Sequence, residues 1–359
     1  MIKLTKHQIG KEEIVAVNKV LLGNQLTPGK TVKQFETNLI KYIGCNYAVA
    51  VQSATAGLHI ALLAHGVKPG DEVIVPSVTF SATAIAVSLC GAKVVLADID
   101  PFSLNIDVVD VENKITEKTK AILPVYYAGN PYDIKKLFKI SNRYNIPIIE
   151  DAACAMGSSY HGQMVGSMGL TTVFSFHPTK NMTAAGGGAV TTNTKKIAEK
   201  IKQLRWYGLR RYDHFRLDKL HAISGNYVMN EIQAAIGIEQ LKKLPTFNEK
   251  RRIIGKEYDH YFKNLINARP LTVMEGTNRY IYVLLIDKDR KEVRRKLKRK
   301  GIETQVHYTP LNKHPAYEFT SCLTNTNRLQ SKYLSIPIHP QLSESDINKV
   351  VNAIHKIIG

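Results

Sequence analysis

The strongest constraint on what this chain can fold into is a pattern repeated from residue 47 onward: a short apolar run, a turn, and a helix-patterned stretch. Tyr47–Val51, Glu72–Val75, Lys93–Ala97, Ala121–Val125 and Pro147–Glu150 are β-branched or apolar runs of strand length, and Ala54–His65 reads as a helix closed by Gly66. Thr171–Phe176 and Gly188–Thr192 continue the series. Strands that are apolar almost without interruption are buried on both faces, which predicts an α/β fold with a mostly parallel central sheet covered by helices. Ligands of such sheets sit at the carboxyl ends of the strands, so every polar residue just after a strand is a site candidate.

After residue 230 the pattern changes. Asn230–Leu244 and Thr246–Phe262 read as long helices separated by Pro245, which is expected to break them. Arg279–Ile286 reads as a strand, Lys288–Lys300 as a basic helix, Ile302–Val306 as a strand and Ser343–Ile358 as an amphipathic helix. The chain of 359 residues is therefore expected to divide into a large domain, 1–244, with an N-terminal segment, and a smaller C-terminal α+β domain, 245–359.

Forty-nine Lys and Arg against thirty Asp and Glu give a formal charge of +19, which suggests nucleic acid, an acidic membrane or a phosphorylated small molecule as partner. The densest basic run, 288–300, has no interleaved aromatics to stack on bases, so it reads as a solvated helix face and argues against a nucleic-acid-binding regulator. The start of the chain lacks a basic-then-apolar signal and no stretch of eighteen apolar residues follows, so a cytoplasmic protein without membrane partners is expected. Cys45, Cys90, Cys154 and Cys322 are too scattered for a disulfide framework or a metal pair and are expected to be reduced thiols, with no metal site. Gly23–Thr31 looks like a phosphate-binding loop, but five residues separate its glycines where the motif needs four, and a helical pattern rather than a strand precedes it.

Four strand-end features carry chemistry. Ser53-Ala54-Thr55-Ala56-Gly57 lies between a strand and a helix, where free N–H groups and hydroxyls can hold a phosphate. Glu150-Asp151 puts a carboxylate at the end of a buried strand, where it needs a cationic or hydrogen-bonding partner. Phe174–Lys180 runs from a strand into a loop ending in a lysine, before Gly186-Gly187-Gly188. Thr79-Phe80 could lay a ring on the same face. Singly these read as helix caps, a solvated lysine and core packing. Jointly they are what pyridoxal phosphate requires of a protein: a phosphate cradle, a carboxylate for the pyridine nitrogen, an aromatic face and a lysine to hold the aldehyde.

At this point the sequence resembles the DegT/StrS family of nucleotide-sugar aminotransferases, of fold type I, the aspartate aminotransferase-like class. The resemblance runs from Gly29 and Phe35-Glu36 through Ser53–Leu58, Pro69–Val73, Asp98-Ile99-Asp100, Glu150–Ala153, Ser175-Phe176 with Lys180, Gly187-Gly188 and Gln233–Ala235 with Gln240-Leu241, to His307-Tyr308, Pro310 and Leu334–Pro340. It implies that Lys180 carries the cofactor covalently, that Asp151 pairs with the ring nitrogen, and that Phe80 stacks on the ring. By the same resemblance Ser53, Ala54, Thr55 and Ser175 bind the phosphate. Asn226 is implied to reach the partner subunit's site, hence a homodimer with shared active sites, and His307-Tyr308 to approach the sugar. His177-Pro178 looks like the branch that aminates 4-keto sugars on a uridine diphosphate carrier. Three positions depart from the pattern: Cys154, near the ring, replaces the usual His or Gln, Ala185-Gly186 replaces Gly-Glu, and Val228 stands where many relatives have Arg.

The implied activity is transfer of an amino group from L-glutamate to a keto sugar nucleotide, a UDP- or dTDP-linked 4-keto-6-deoxyhexose, in amino-sugar and surface-glycan biosynthesis such as that of lipopolysaccharide. A free cyclitol or a sugar phosphate is the alternative acceptor. Sugar dehydratases of the same family replace the lysine by histidine, whereas Lys180 is intact here.

Overall fold

The computed structural model describes residues 1–210, 219–317, 319 and 322–359. Among the described residues, seven strands form the central sheet: β1 (Tyr47–Val51), β2 (Glu72–Pro76), β3 (Lys93–Ala97), β4 (Thr119–Ile122), β5 (Ile149–Asp151), β6 (Thr171–Ser175) and β7 (Gly188–Thr192). β2 pairs in parallel with β3 and β4, and β5 with β6, while β7 runs antiparallel between β6 and β1. Two parallel bridges, Ile122 to Ile148 and Val125 to Asp151, join the halves into the order β3-β2-β4-β5-β6-β7-β1. The mostly parallel sheet expected from the apolar runs is thus present, with β7 its only reversed strand. The helix Ala54–Ala64 presses on it so closely that a Cβ at Gly57 would lie 2.8 Å from Val173 Cγ1.

Two expectations fail. Pro245 does not break the chain into two helices, because a single helix runs from Glu231 to Phe262 through it. An internal proline costs about 3 kcal/mol. Here both halves of the helix are anchored: Leu241 and Leu244 enter one hydrophobic core, and Ile254, Tyr258 and Phe262 enter a second one with Ile2, Leu297 and Ile354. A division at residue 245 therefore cuts a continuous helix. Ile302–Val306 is not a strand either, since Ile302 bridges to Ile2 and Gln305 to Ser335, two different neighbours that no regular ladder can serve. The smaller sheet contains Ala268–Pro270, Tyr282–Ile286 and Tyr333–Ile336, all antiparallel. The basic helix, Arg290–Arg299, buries only Val293 and Leu297.

The phosphate-loop lookalike has a different use. Gly29, Thr31 and Val32 donate their backbone N–H groups, each at 2.9 Å, to the buried carboxylate of Glu231, so the helix Lys30–Ile43 begins on an anion the protein itself supplies. Burial opposes the charge on Glu231, but the bonds from Thr31, Val32 and Gly29 outweigh it and hold its pKa below the usual 4.5. Glu231→Gln turns an amide NH2 toward one of these donors and is expected to cost about 1–3 kcal/mol of stability. Because the folded pKa is depressed, this contribution is present above pH 4.5 and is lost as pH falls through the folded value. Denaturant titrations of both proteins at neutral and acidic pH should therefore converge in acid, and a gap that stays constant with pH would refute the assignment.

Candidate active site

The carboxyl end of β5 separates two adjacent acids by strand alternation. Glu150 is fully buried and accepts bonds from Tyr132 Oη and Thr172 Oγ1, each at 2.6 Å, and from Tyr126 Oη. Asp151 points to the other face. Its Oδ2 accepts from Thr83 Oγ1 at 2.8 Å and its Oδ1 from the Ala153 N–H at 3.1 Å, and Thr83 in turn meets Thr79 at 2.8 Å. Burial raises the Asp151 pKa against these bonds and against the charge of Lys180. A further cation beside this carboxylate would restore its ionised form.

Lys180 lies in the connection from β6 to β7. That loop is pinned at its base by Phe176 N–H to Gly187 O and Ala184 N–H to Phe176 O, both 2.9 Å, and at its crown by Asn181 Nδ2 to Asn248 Oδ1 at 2.6 Å. The half-buried Lys180 directs Nζ to Cys154 Sγ at 3.2 Å and lies 4.7 Å from the centroid of the Tyr280 ring. Burial works against its ammonium, but Cys154, Tyr280 and Asp151 outweigh that, and the pKa is raised. Burial also raises the pKa of the Cys154 thiol, which stays protonated at neutral pH.

The helix Ala54–Ala64 starts at the end of β1. Ser53 caps it, Oγ accepting the Ala56 N–H at 3.1 Å, and other first-turn N–H groups have no acceptor within the helix. Ser175 pairs with Gly188 across β6 and β7, and Ser53 bridges to Gly187. A Cβ at Gly188 would stand 2.8 Å from Ala54 N, so only glycine lets β7 abut the helix start. Ser53, Ala54, Thr55 and Ser175 are thereby brought to one cup, whose helix N-terminus suits an anion.

Phe80, in the turn after β2, is 58% exposed and its ring centroid lies 5.7 Å from that of Tyr308. His307 is buried, its Nδ1 2.8 Å from Ser335 Oγ and its carbonyl accepting from Tyr127 Oη. Burial, and then the charge of Lys180, push the His307 pKa down to about 4, so its imidazole is neutral at physiological pH. Burial likewise raises the phenol of Tyr308. His177 is exposed and bonds within its own turn, Nδ1 to Thr179 Oγ1 at 3.0 Å. Asn226 is exposed beside the end of β1, where Val228 bridges to Val51, and Trp206 bridges to Asn226. Two contributors were not foreseen: Thr83, signalled only by its four-residue spacing from Thr79, and Tyr280, which no local pattern marks.

These features fit pyridoxal phosphate: a helix N-terminus that a glycine lets strand β7 abut, a buried carboxylate short of cationic partners, and a lysine in the loop at the same strand ends. Fold and site define a fold type I, pyridoxal-phosphate-dependent enzyme. The chain matches the DegT/DnrJ/EryC1/StrS aminotransferase family over residues 7–355, and it belongs to that family of sugar aminotransferases. Among its relatives is MJ1066, an uncharacterised protein of Methanocaldococcus jannaschii, 40% identical over 370 aligned residues covering 98% of this chain and 96% of that one. Solved structures similar to it include the sugar aminotransferase CalS13 of Micromonospora echinospora, with 28% identity, TM-score 0.95 and coverage of 99% and 100%. Helicobacter pylori PseC, an aminotransferase of pseudoaminic acid biosynthesis, has 31% identity, TM-score 0.93 and 99% coverage of both chains. Spr1654 of Streptococcus pneumoniae, 28% identical to this chain in its cofactor-bound forms, has been solved with both PLP and PMP. No helix among the described residues is long and apolar enough to cross a membrane.

Proposed function

We propose that this aminotransferase takes its nitrogen from L-glutamate and gives it to a nucleotide-linked keto sugar, a 4-keto-6-deoxyhexose on UDP or dTDP. The observation that carries the reading is the meeting of Lys180, Asp151 and the Ser53–Ser175 cup at the carboxyl ends of one sheet. Pyridoxal phosphate, when bound, supplies an electrophilic carbon for the nitrogen and a ring that accepts the electron pair released at the substrate carbon. Lys180 holds that carbon in the resting enzyme and, once displaced, carries a proton on Nζ to and from the substrate carbon. Asp151 keeps a proton on the ring nitrogen. Ser53, Ala54, Thr55 and Ser175 bind the phosphate, with Phe80 and Cys154 beside the ring.

His177, His307 and Tyr308 are assigned to the sugar, since imidazole and phenol groups bond hydroxyls without demanding one isomer. The chain's charge of +19 supports a diphosphate-bearing acceptor. With glutamate as donor, 4-keto sugar nucleotides are expected to yield amino sugars and 2-oxoglutarate, detected by mass, while the free keto sugar fails. Turnover of a free sugar or cyclitol ketone, with none of any nucleotide sugar, would overturn the acceptor assignment.

The working unit is a homodimer in which Asn226 serves the partner subunit's phosphate. Val15, Leu22 and Ile223, 66, 88 and 89% exposed, are apolar side chains that a second copy would cover. Mixing inactive Lys180→Ala with an inactive Asn226→Ala protein under subunit exchange is expected to restore part of the activity. A fully active monomer would rule the shared site out.

A further inference from the structure

We propose that Tyr280 is a positioning residue for Lys180, holding Nζ at the reacting carbon through its ring face, and that Asn278 sets the ring in place. The inference rests on the proposed role of Lys180. Nζ sits between two walls, Cys154 Sγ at 3.2 Å and the Tyr280 ring at 4.7 Å, and neither comes from the loop that bears the lysine. One fully buried side chain ties the walls together. Asn278 Nδ2 donates to Cys154 O at 2.9 Å and to Met156 O at 3.1 Å, while its Oδ1 accepts the Tyr280 N–H at 3.0 Å. Both amide protons and the carbonyl are thus used, a set only Asn supplies at this size.

Asn278 is itself locked. Its N–H donates to Ser158 Oγ at 3.0 Å, whose hydroxyl donates to Gly129 O at 2.7 Å, and Gly129 (φ +77°) packs so tightly that a Cβ there would meet Asn278 Oδ1 at 2.0 Å. The circuit closes on the lysine loop through Asn248, which accepts from Asn181 and donates to the same Met156 carbonyl at 3.0 Å. A released lysine side chain is long and flexible, and without a seat it would spend its time away from the carbon whose proton it moves. The face of an aromatic ring attracts a cation and not a neutral amine, so the seat holds Nζ most firmly while it carries the proton.

The test uses the holoenzyme of Tyr280→Leu, Tyr280→Phe and Asn278→Ala, each checked for native melting behaviour. Tyr280→Leu is expected to lower kcat for the glutamate half-reaction about tenfold with KM within about twofold, to raise the isotope effect with α-deuterated glutamate, and to lower the pH midpoint of the resting visible absorption. Tyr280→Phe, which keeps the ring face, should restore all three to near wild type. Asn278→Ala should shift them as Tyr280→Leu does, and the double variant should lose no more than the worse single. A folded Tyr280→Leu with wild-type midpoint and isotope effect, or Phe as damaging as Leu, would overturn the proposal. A wild type that does not react with glutamate would refute the donor assignment instead, and the midpoint shift would still report on Tyr280.

Discussion

Lys180→Ala is expected to fold normally, to hold pyridoxal phosphate without any bond that borohydride can fix to the protein, and to lose transamination by roughly three to four orders of magnitude or more, since the position supplies both the covalent hold and the proton carrier. The fold should survive because the loop is held by contacts that do not involve this side chain: Phe176 to Gly187, Asn181 to Asn248, and the Thr183 N–H to Gln240 Oε1 at 3.3 Å. The vacated space beside Cys154 and Tyr280 can admit a small primary amine, so methylamine should return part of the activity. Borohydride trapping, melting curves and single-turnover assays on one preparation measure these expectations together. A Lys180→Ala enzyme that transaminates at near wild-type rate without added amine would remove the lysine from the mechanism.

Asp151→Asn should keep the fold and part of the cofactor affinity while cutting the glutamate half-reaction by about 10²–10³-fold. The amide retains an oxygen for the Thr83 hydroxyl or the Ala153 N–H, so the loss lies in charge rather than in packing. A neutral amide cannot hold a proton on a pyridine nitrogen, and without it the ring accepts electrons poorly. Since burial raises the Asp151 pKa, cofactor affinity of the wild type should weaken as pH falls through that raised value, whereas the variant should not follow this titration. Half-reaction rates within a few-fold of wild type would make Asp151 a structural cap.

The architecture was legible because β2, β5, β6 and β7 are buried on both faces and their composition says so directly. The placement of Asp151, Ser53 and Lys180 at the strand ends was legible because the ligand end of such a sheet is fixed by strand direction. What sequence alone concealed has physical causes. Pro245 carries a local penalty that two separate cores override, and local rules do not weigh tertiary packing. Ile302–Val306 has strand composition but finds no single partner to pair with. Tyr280 meets the lysine, and Asn278 meets Cys154, across a hundred residues of chain or more, a relation that leaves no periodic trace. Glu231 sits two hundred residues from the amides it caps and, in sequence, reads only as the first residue of a helix.

Whether Lys180 holds pyridoxal phosphate in this aminotransferase can be read from the site at which the cofactor is trapped. The yellow holoenzyme is reduced with borohydride, digested and mapped by mass spectrometry, before and after incubation with excess glutamate. The phosphopyridoxyl label is expected on the peptide containing Lys180 alone, and should disappear from that peptide once glutamate has converted the cofactor to its amino form. Label on any other lysine, or label at Lys180 that glutamate and every other amino donor leave in place, would contradict that role of Lys180.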